Sequence, residues 1–157
     1  MRKRLVAPVR QDKSHADHDW LDLERLAEVE ITSEDPAHPI ESALQPDTRS
    51  GWRAAGPGRQ SIRLLFSNPQ RIRRIRLSFV EASVERTQEY VLRWSADGGN
   101  SFRDIVRQQW NFNPGGSSTE TEEHQVDLSG VTALELGITP HIGGGSAVAS
   151  LAQLRLA

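Results

Sequence analysis

Hydrophobic and polar residues alternate with a period of two along most of this chain. The runs Ala27–Thr32, Gln60–Phe66, Ile72–Phe79, Gln88–Trp94, Arg103–Gln109, Glu122–Leu128, Ala133–Thr139 and Ala147–Leu156 each place apolar residues on one face of an extended segment. That pattern predicts half-buried strands. Gln60–Phe66 would turn Ile62, Leu64 and Phe66 inward. Gln88–Trp94 admits two choices, the face of Tyr90, Leu92 and Trp94 or the alternate face of Val91. Arg73-Arg74 interrupts the alternation between Ile72 and Ile75 and predicts a β-bulge. About eight short strands separated by Gly, Pro, Asn and Ser turns argue for an all-β fold, an antiparallel β-sandwich. Ahead of them, Asp19 is expected to N-cap one helical turn through Leu26 that packs Trp20 on the body. Residues 1–18 are polar, with Pro8 and scattered charge, and read as a flexible N-terminal arm; residues 19–157 form the domain.

The connections carry a second pattern. Each antiparallel strand reverses direction, so alternate loops gather at one end of a sandwich. Glu34–Arg59, Val80–Thr87, Trp110–Thr121 and Pro140–Ser146 are expected to share one end, and Ser67–Arg71, Ser95–Phe102 and Ser129–Thr132 the other. The first set is longer and holds Trp52, Trp110, Phe112, His38, His141 and most of the glycines. Long loops in compact domains usually have work to do, so that end is the candidate binding face.

Composition narrows the chemistry. With 36% hydrophobic residues and a formal net charge of -2, nothing drives the whole chain toward nucleic acid or a membrane. Cysteine is absent, which excludes disulfides, zinc thiolate sites and a thiol nucleophile. Lys3 and Lys13 are the only lysines, an arginine bias that reads as genome composition. After the basic Met1–Arg4, Leu5–Val9 is too short for a signal-peptide core, and no apolar run reaches a membrane span. A soluble, cytoplasmic protein is the expectation.

Three segments, in order, resemble one family. Ala43-Leu44-Gln45-Pro46-Asp47-Thr48-Arg49-Ser50-Gly51-Trp52 is similar to the A-I-D-G-D-x-x-T-x-W loop of the discoidin family, the coagulation factor 5/8 C-type domains and their bacterial carbohydrate-binding relatives. Glu30–Glu34 resembles the family's first strand with its Ser-rich exit, and Trp94–Phe102 its S-x-D-G-x-x-W hairpin. The resemblance covers roughly residues 26 to 157. It implies a jelly-roll, galactose-binding-like sandwich that binds ligands without transforming them. It also implies a calcium loop, with ligands falling on the backbone of Ala43 and Ala152 and on Gln45, Asp47, Ser50 and Gln153. Calcium gains affinity from carboxylates. Because Gln45 stands for the usual Asp and Gln153 for the usual Glu, the metal site is expected to be weak or empty. The strand-end position at which galactose-binding relatives carry an Arg falls here on Glu81, followed by Ala82–Thr87, so galactose held in the usual way is not expected.

Trp110-Asn111-Phe112-Asn113-Pro114-Gly115-Gly116 is the sharpest local candidate for ligand contact. Aromatic faces stack on the C–H faces of sugars, and Asn offers both donor and acceptor. The competing reading makes Trp110 and Phe112 a plug over the sandwich end. Trp52 is expected to be structural; Arg49 and Arg53 flank it and could bind a sugar hydroxyl pair, or pair with Asp47 or Glu41. Ser95–Phe102 is a self-bonded hairpin with no ligand role, and Gly143–Ser146 a flexible turn. His124 with Glu120, Glu122, Glu123 and Asp127 reads as a solvated edge strand rather than a glycosidase pair. His15 and His18 lack a third metal ligand. Arg71, Arg73, Arg74 and Arg76 form a basic cluster at the opposite end.

The resulting expectation is a binding module and not an enzyme. A carbohydrate or other small polar ligand would stack on Trp110 or Phe112 and bond to Asn111, Asn113, His141 and Arg53, with Glu81 and Arg86 lining the groove. The alternative is a cytosolic protein–protein interaction module of the same fold, since polysaccharide-binding members are usually exported and fused to an enzyme. Nucleic acid and membrane are not expected partners.

Overall fold

The computed structural model describes residues 20–46 and 50–157; the arm with His15, His18 and Asp19, and the loop residues Asp47, Thr48 and Arg49, lie outside the described residues. The chain enters through a helical turn, α1 (Leu23–Leu26), and β1 (Ala27–Ile31). The turn starts after Asp22, whose carboxylate accepts from the Arg25 N–H at 3.4 Å, and not after Asp19. Burial of Leu23 decides this start, because it locks the turn onto the core. Trp20 does pack on the body, under the Arg74 guanidinium at 4.4 Å from the ring centroid.

Then follow a second turn α2 (Glu41–Leu44), β2 (Trp52–Pro57), β3 (Gln60–Val80), β4 (Arg86–Ser95), β5 (Arg103–Phe112), β6 (Thr119–Thr139), β7 (Val148–Leu151) and β8 (Gln153–Leu156). The main sheet runs β1-β3-β6-β4-β5 with β8 also on β3, and β2 pairs β7; all pairings are antiparallel.

The fold class is as expected, but the eight strands are divided differently. Gln60–Phe66 and Ile72–Phe79 are two halves of β3, and Glu122–Leu128 and Ala133–Thr139 two halves of β6. These strands pair along both halves, with register shifts between Leu65 and Arg74 that include the predicted bulge. Ser67–Arg71 and Ser129–Thr132 are therefore bends in a ribbon, not reversals between separate strands. The first half of β3 pairs β1 and the second pairs β8, yet Ile62, Leu64 and Phe66 share one core with Ile72, Ile75, Leu77 and Phe79. The ribbon thus folds over, one half in each layer of the sandwich. Two strands emerge where one run or none was expected. Ala147–Leu156 divides into β7 and β8, and β2 lies inside the expected Glu34–Arg59 loop.

On β4 the inward face is that of Tyr90 and Leu92, 1% and 0% exposed, with Trp94 half-buried against the core. Among the described residues no helix is long and apolar enough to cross a membrane.

Candidate functional site

The fold-over keeps the expected sorting of loops, and hydrogen bonds confirm it. At the long-loop end Glu81 N–H donates to Ser118 O at 2.8 Å and Ile142 N–H to Thr87 O at 2.9 Å, and His38 and Arg53 of Glu34–Arg59 line one cleft with Glu81. At the other end Gly98 N–H donates to the Thr132 hydroxyl at 2.8 Å. There Asp97 accepts from the Ser101 N–H and hydroxyl at 2.9 and 2.6 Å and from Ser95 Oγ at 2.6 Å, so its carboxyl is lowered to about 2. Gly98 and Gly99 take positive φ, as a self-bonded hairpin requires.

A cleft of about 300 Å³ opens between β2, the β3–β4 turn and the β7–β8 turn, lined by His38, Ser50, Arg53, Glu81, Ser83 and Ser150 among others. Its floor is Trp52, 1% exposed, whose indole N–H donates to Ser33 O at 3.0 Å; the signature Trp is structural. The Ser-rich exit of β1 explains why. Thr32 and Ser33 hydroxyls both donate to Gln60 Oε1, at 2.5 and 2.8 Å, and Ser33 Oγ accepts from Ala55 N–H, so this exit joins β1, β2 and β3. Gly51, at φ 66, allows the close approach of β2 to β7; a Cβ there would lie 2.6 Å from Leu151 O. Arg53 is exposed and makes none of the ion pairs with Glu41 that its position suggested; its charge acts on Asp35 instead.

Glu81 is held from behind. Arg86 Nε donates to its Oε1 at 2.7 Å, and Ser83 and Val84 N–H groups donate to Oε2 at 3.1 and 3.3 Å. Burial raises this carboxyl, but the Arg86 and backbone hydrogen bonds outweigh it and the net shift is downward, so Glu81 stays ionised. The Arg86 side chain is 1% exposed. It also donates to Gln88 Oε1 at 3.1 Å and Pro140 O at 2.8 Å, and lies over the Phe112 ring at 4.8 Å.

That stack corrects the expectation for Phe112. It is 0% exposed, a core plug rather than a ligand platform, because β5 alternation that exposes Asn111 and Asn113 must bury it. Trp110 is half-buried against the core with its indole N–H buried, and only its remaining edge borders a shallow groove with Gln109, Asn111 and Ser117. Asn111 and Asn113 are exposed, and Asn113 builds the loop, accepting from Gly115 N–H at 3.0 Å. Asn111, Asn113 and His141 meet in a groove beside the first cleft. The predicted ligand residues thus share one end of the molecule but divide between two depressions.

At the calcium-type loop, Gln45 is engaged by Glu24 and Ser50 is exposed; Asp47 lies outside the described residues. Among the described residues no three His, Asp or Glu side chains come together as a metal site. Gln45 and Gln153 offer calcium neutral carbonyl oxygens without the charge that raises its affinity.

The edge-strand reading of Glu122–Leu128 holds for Glu123, Gln125 and Asp127, which are exposed, two of them paired with Arg74 and Arg71. Sequence reasoning missed its inner face. Glu120 is 2% exposed with neither carboxylate oxygen hydrogen-bonded, and burial, then Glu122, pushes its carboxyl up to about 7. Near it the Tyr90 hydroxyl meets His124 Nε2 at 2.9 Å, and burial raises the phenol above its usual range.

A jelly-roll sandwich with long polar loops at one end defines a class of ligand-binding modules. The chain belongs to the F5/8 type C domain family, whose model matches residues 28–154. No curated protein matches the sequence. Among solved structures it is similar to the family 32 carbohydrate-binding module of Clostridium perfringens NanJ in complex with galactose, at 15% identity and a TM-score of 0.65, covering 87% of this chain and 96% of that one. CpGH89CBM32-5 from Clostridium perfringens, in complex with GalNAc-β-1,3-galactose, is 22% identical with a TM-score of 0.62 and coverage of 87% and 98%. The AlyQ module in complex with 4,5-unsaturated mannuronic acid is 11% identical with a TM-score of 0.62 and coverage of 84% and 95%. At these identities the likeness establishes the fold.

Proposed function

We propose that this protein is a non-catalytic carbohydrate-binding module that holds a saccharide at the long-loop end, chiefly in the cleft between Arg53 and Glu81. One observation carries the reading: an exposed guanidinium, without an ion-pair partner among the described residues, and a carboxylate kept ionised from behind line the same polar cleft. Adjacent sugar hydroxyls both donate and accept, and a carboxylate with a planar guanidinium answers both needs. The similar modules solved with galactose, GalNAc-β-1,3-galactose and an unsaturated mannuronic acid support a saccharide as the ligand class.

Calorimetric titration of a saccharide panel tests this. Arg53→Ala should weaken the best ligand by roughly 1.5–3 kcal/mol, the range for hydrogen bonds to charged groups, and leave the thermal midpoint unchanged. Silence across the panel would overturn the reading. A second reading, a protein-interaction module, draws on Val80, Val84 and Ile142, which are about half exposed and all lie at this end. A co-purifying protein released by Arg53→Ala, with no saccharide response, would favour it.

A further inference from the structure

Beside the Arg53–Glu81 cleft, a groove of about 450 Å³ opens between the β3–β4 turn, the β5–β6 loop and the β6–β7 loop, with Glu85, Arg86, Asn111, Asn113 and His141 among its lining. Its hydrogen-bonding character is fixed by the backbone. Thr87 N–H donates to His141 Nδ1 at 3.1 Å. A backbone N–H only donates, so Nδ1 is the bare nitrogen and Nε2 carries the proton. Gly143 leaves that edge open, since a Cβ at 143 would lie 3.1 Å from Nε2. By the same logic Gly115 N–H fixes Asn113 Oδ1 as acceptor, which leaves the Nδ2 hydrogens unused. Asn111 Oδ1 accepts from the Thr87 hydroxyl at 2.7 Å and frees its amide nitrogen too. The groove presents donors.

Charge decides which acceptor suits them. Arg86 is a cation, but its side chain is 1% exposed and its charge is matched by Glu81 at 2.7 Å. Glu85 is exposed and adds a negative charge at the rim. A carboxylate ligand would meet the exposed Glu85, and the cation in the lining, Arg86, already faces Glu81 and keeps only a buried Nη2 without a partner. A neutral carbonyl oxygen would take the same donors without that repulsion, and an adjoining amide N–H could donate to Glu85.

We propose that this groove is a separate subsite for the acylamido group of an N-acylated amino sugar. The carbonyl oxygen takes the Nε2–H of His141 and an Nδ2–H of Asn113, and the amide N–H points to Glu85. The proposal rests on the saccharide reading above but uses residues that the Arg53–Glu81 cleft does not.

N-acetylgalactosamine, galactose and galacturonate, titrated into isotopically labelled protein, form the test. The first should bind at least tenfold more tightly than galactose and shift the Asn113 side-chain amide and the His141 ring. Asn113→Asp keeps the acceptor for Gly115 and removes the donors; Gly143→Ala crowds Nε2. Each should reduce the preference to less than twofold, with galactose affinity and thermal midpoint unchanged. Equal binding of the two sugars, a preference that survives both variants, or a preference for galacturonate would overturn the subsite and leave the saccharide reading intact. The same holds if these probes fail while other saccharides bind. If no saccharide binds, both proposals fall.

Discussion

Glu120 makes the stability of this domain fall as pH rises, the reverse of a carboxylate held by a salt bridge. It sits on β6 opposite Phe79, with Glu122 on the same face and Tyr90 across the interior, and neither of its oxygens has a hydrogen-bond partner. The burial and the neighbouring negative charge both favour the protonated form in the folded state. Below pH 4.5 the folded and unfolded chains both hold the proton, and the group adds no penalty. Between 4.5 and about 7 the unfolded chain ionises while the folded one does not, so stability is lost through that window. The distance between these two values corresponds to roughly 3 kcal/mol. Against a typical total of about 5–15 kcal/mol, that is a large fraction.

Urea unfolding followed by tryptophan fluorescence at pH 5, 6, 7 and 8 measures it. Wild type should be about 2.5 kcal/mol less stable at pH 8 than at pH 5, part of the loss being already present at pH 5, and Glu120→Gln should remove most of that difference by carrying no ionisable proton. The carboxyls of Asp35, Glu81 and Asp97 are lowered, so their losses come at more acid pH and do not overlap the window. Equal stability of wild type at pH 5 and 8, or the same drop in Glu120→Gln, would refute the reasoning.

Two further substitutions probe the scaffold beneath the binding face. Arg86→Met leaves Glu81 without its cation and Pro140 O without its donor, and should cost about 3–5 kcal/mol in urea unfolding; adding Glu81→Gln should restore part of it, and no restoration would mean that lost packing dominates. Gly51→Ala forces a Cβ to within 2.6 Å of Leu151 O at a φ of 66. It should lower stability by at least about 2 kcal/mol, read as a depressed thermal midpoint, and a neutral result would mean that β2 and β7 separate easily.

The period-2 pattern revealed the fold class and most strand positions because each strand here buries one face. It is silent on pairing. Ser67–Arg71 and Ser129–Thr132 look like loops because they are polar, yet Gln70 pairs with Val131 across the bend and the ribbon continues. Trp52–Pro57 escaped notice for the opposite reason: Gly56 and Pro57 are turn residues, and the strand exists only because β7 is there to receive it. At the candidate site, Arg53 was legible beside Trp52, and Glu81 at the strand end where galactose-binding relatives carry an Arg. The burial of Arg86 and Glu120 was not, since a charged residue in a turn or on an edge strand is ordinarily solvated. Of the two readings of Phe112 the plug is the one that fits, and alternation with Asn111 and Asn113 held the answer.

Arg86 links the scaffold to the ligand face. One buried guanidinium joins the β3–β4 turn through Glu81, the β6–β7 loop through Pro140 and the end of β5 through Phe112. Its neighbour Thr87 adds backbone bonds to His141 and Ile142. Loops left free would have to be ordered on binding, at about 0.5–1.5 kcal/mol for each immobilised side chain. Here that ordering is completed in folding, so recognition starts from a fixed set of donors and acceptors. The consequence separates two kinds of residue. Changes at Arg86 should lower stability and affinity together, because they loosen three loops at once. Arg53→Ala, or Asn113→Asp, which keeps the acceptor for Gly115, should lower affinity alone, because the donors removed reach the ligand and support nothing behind them.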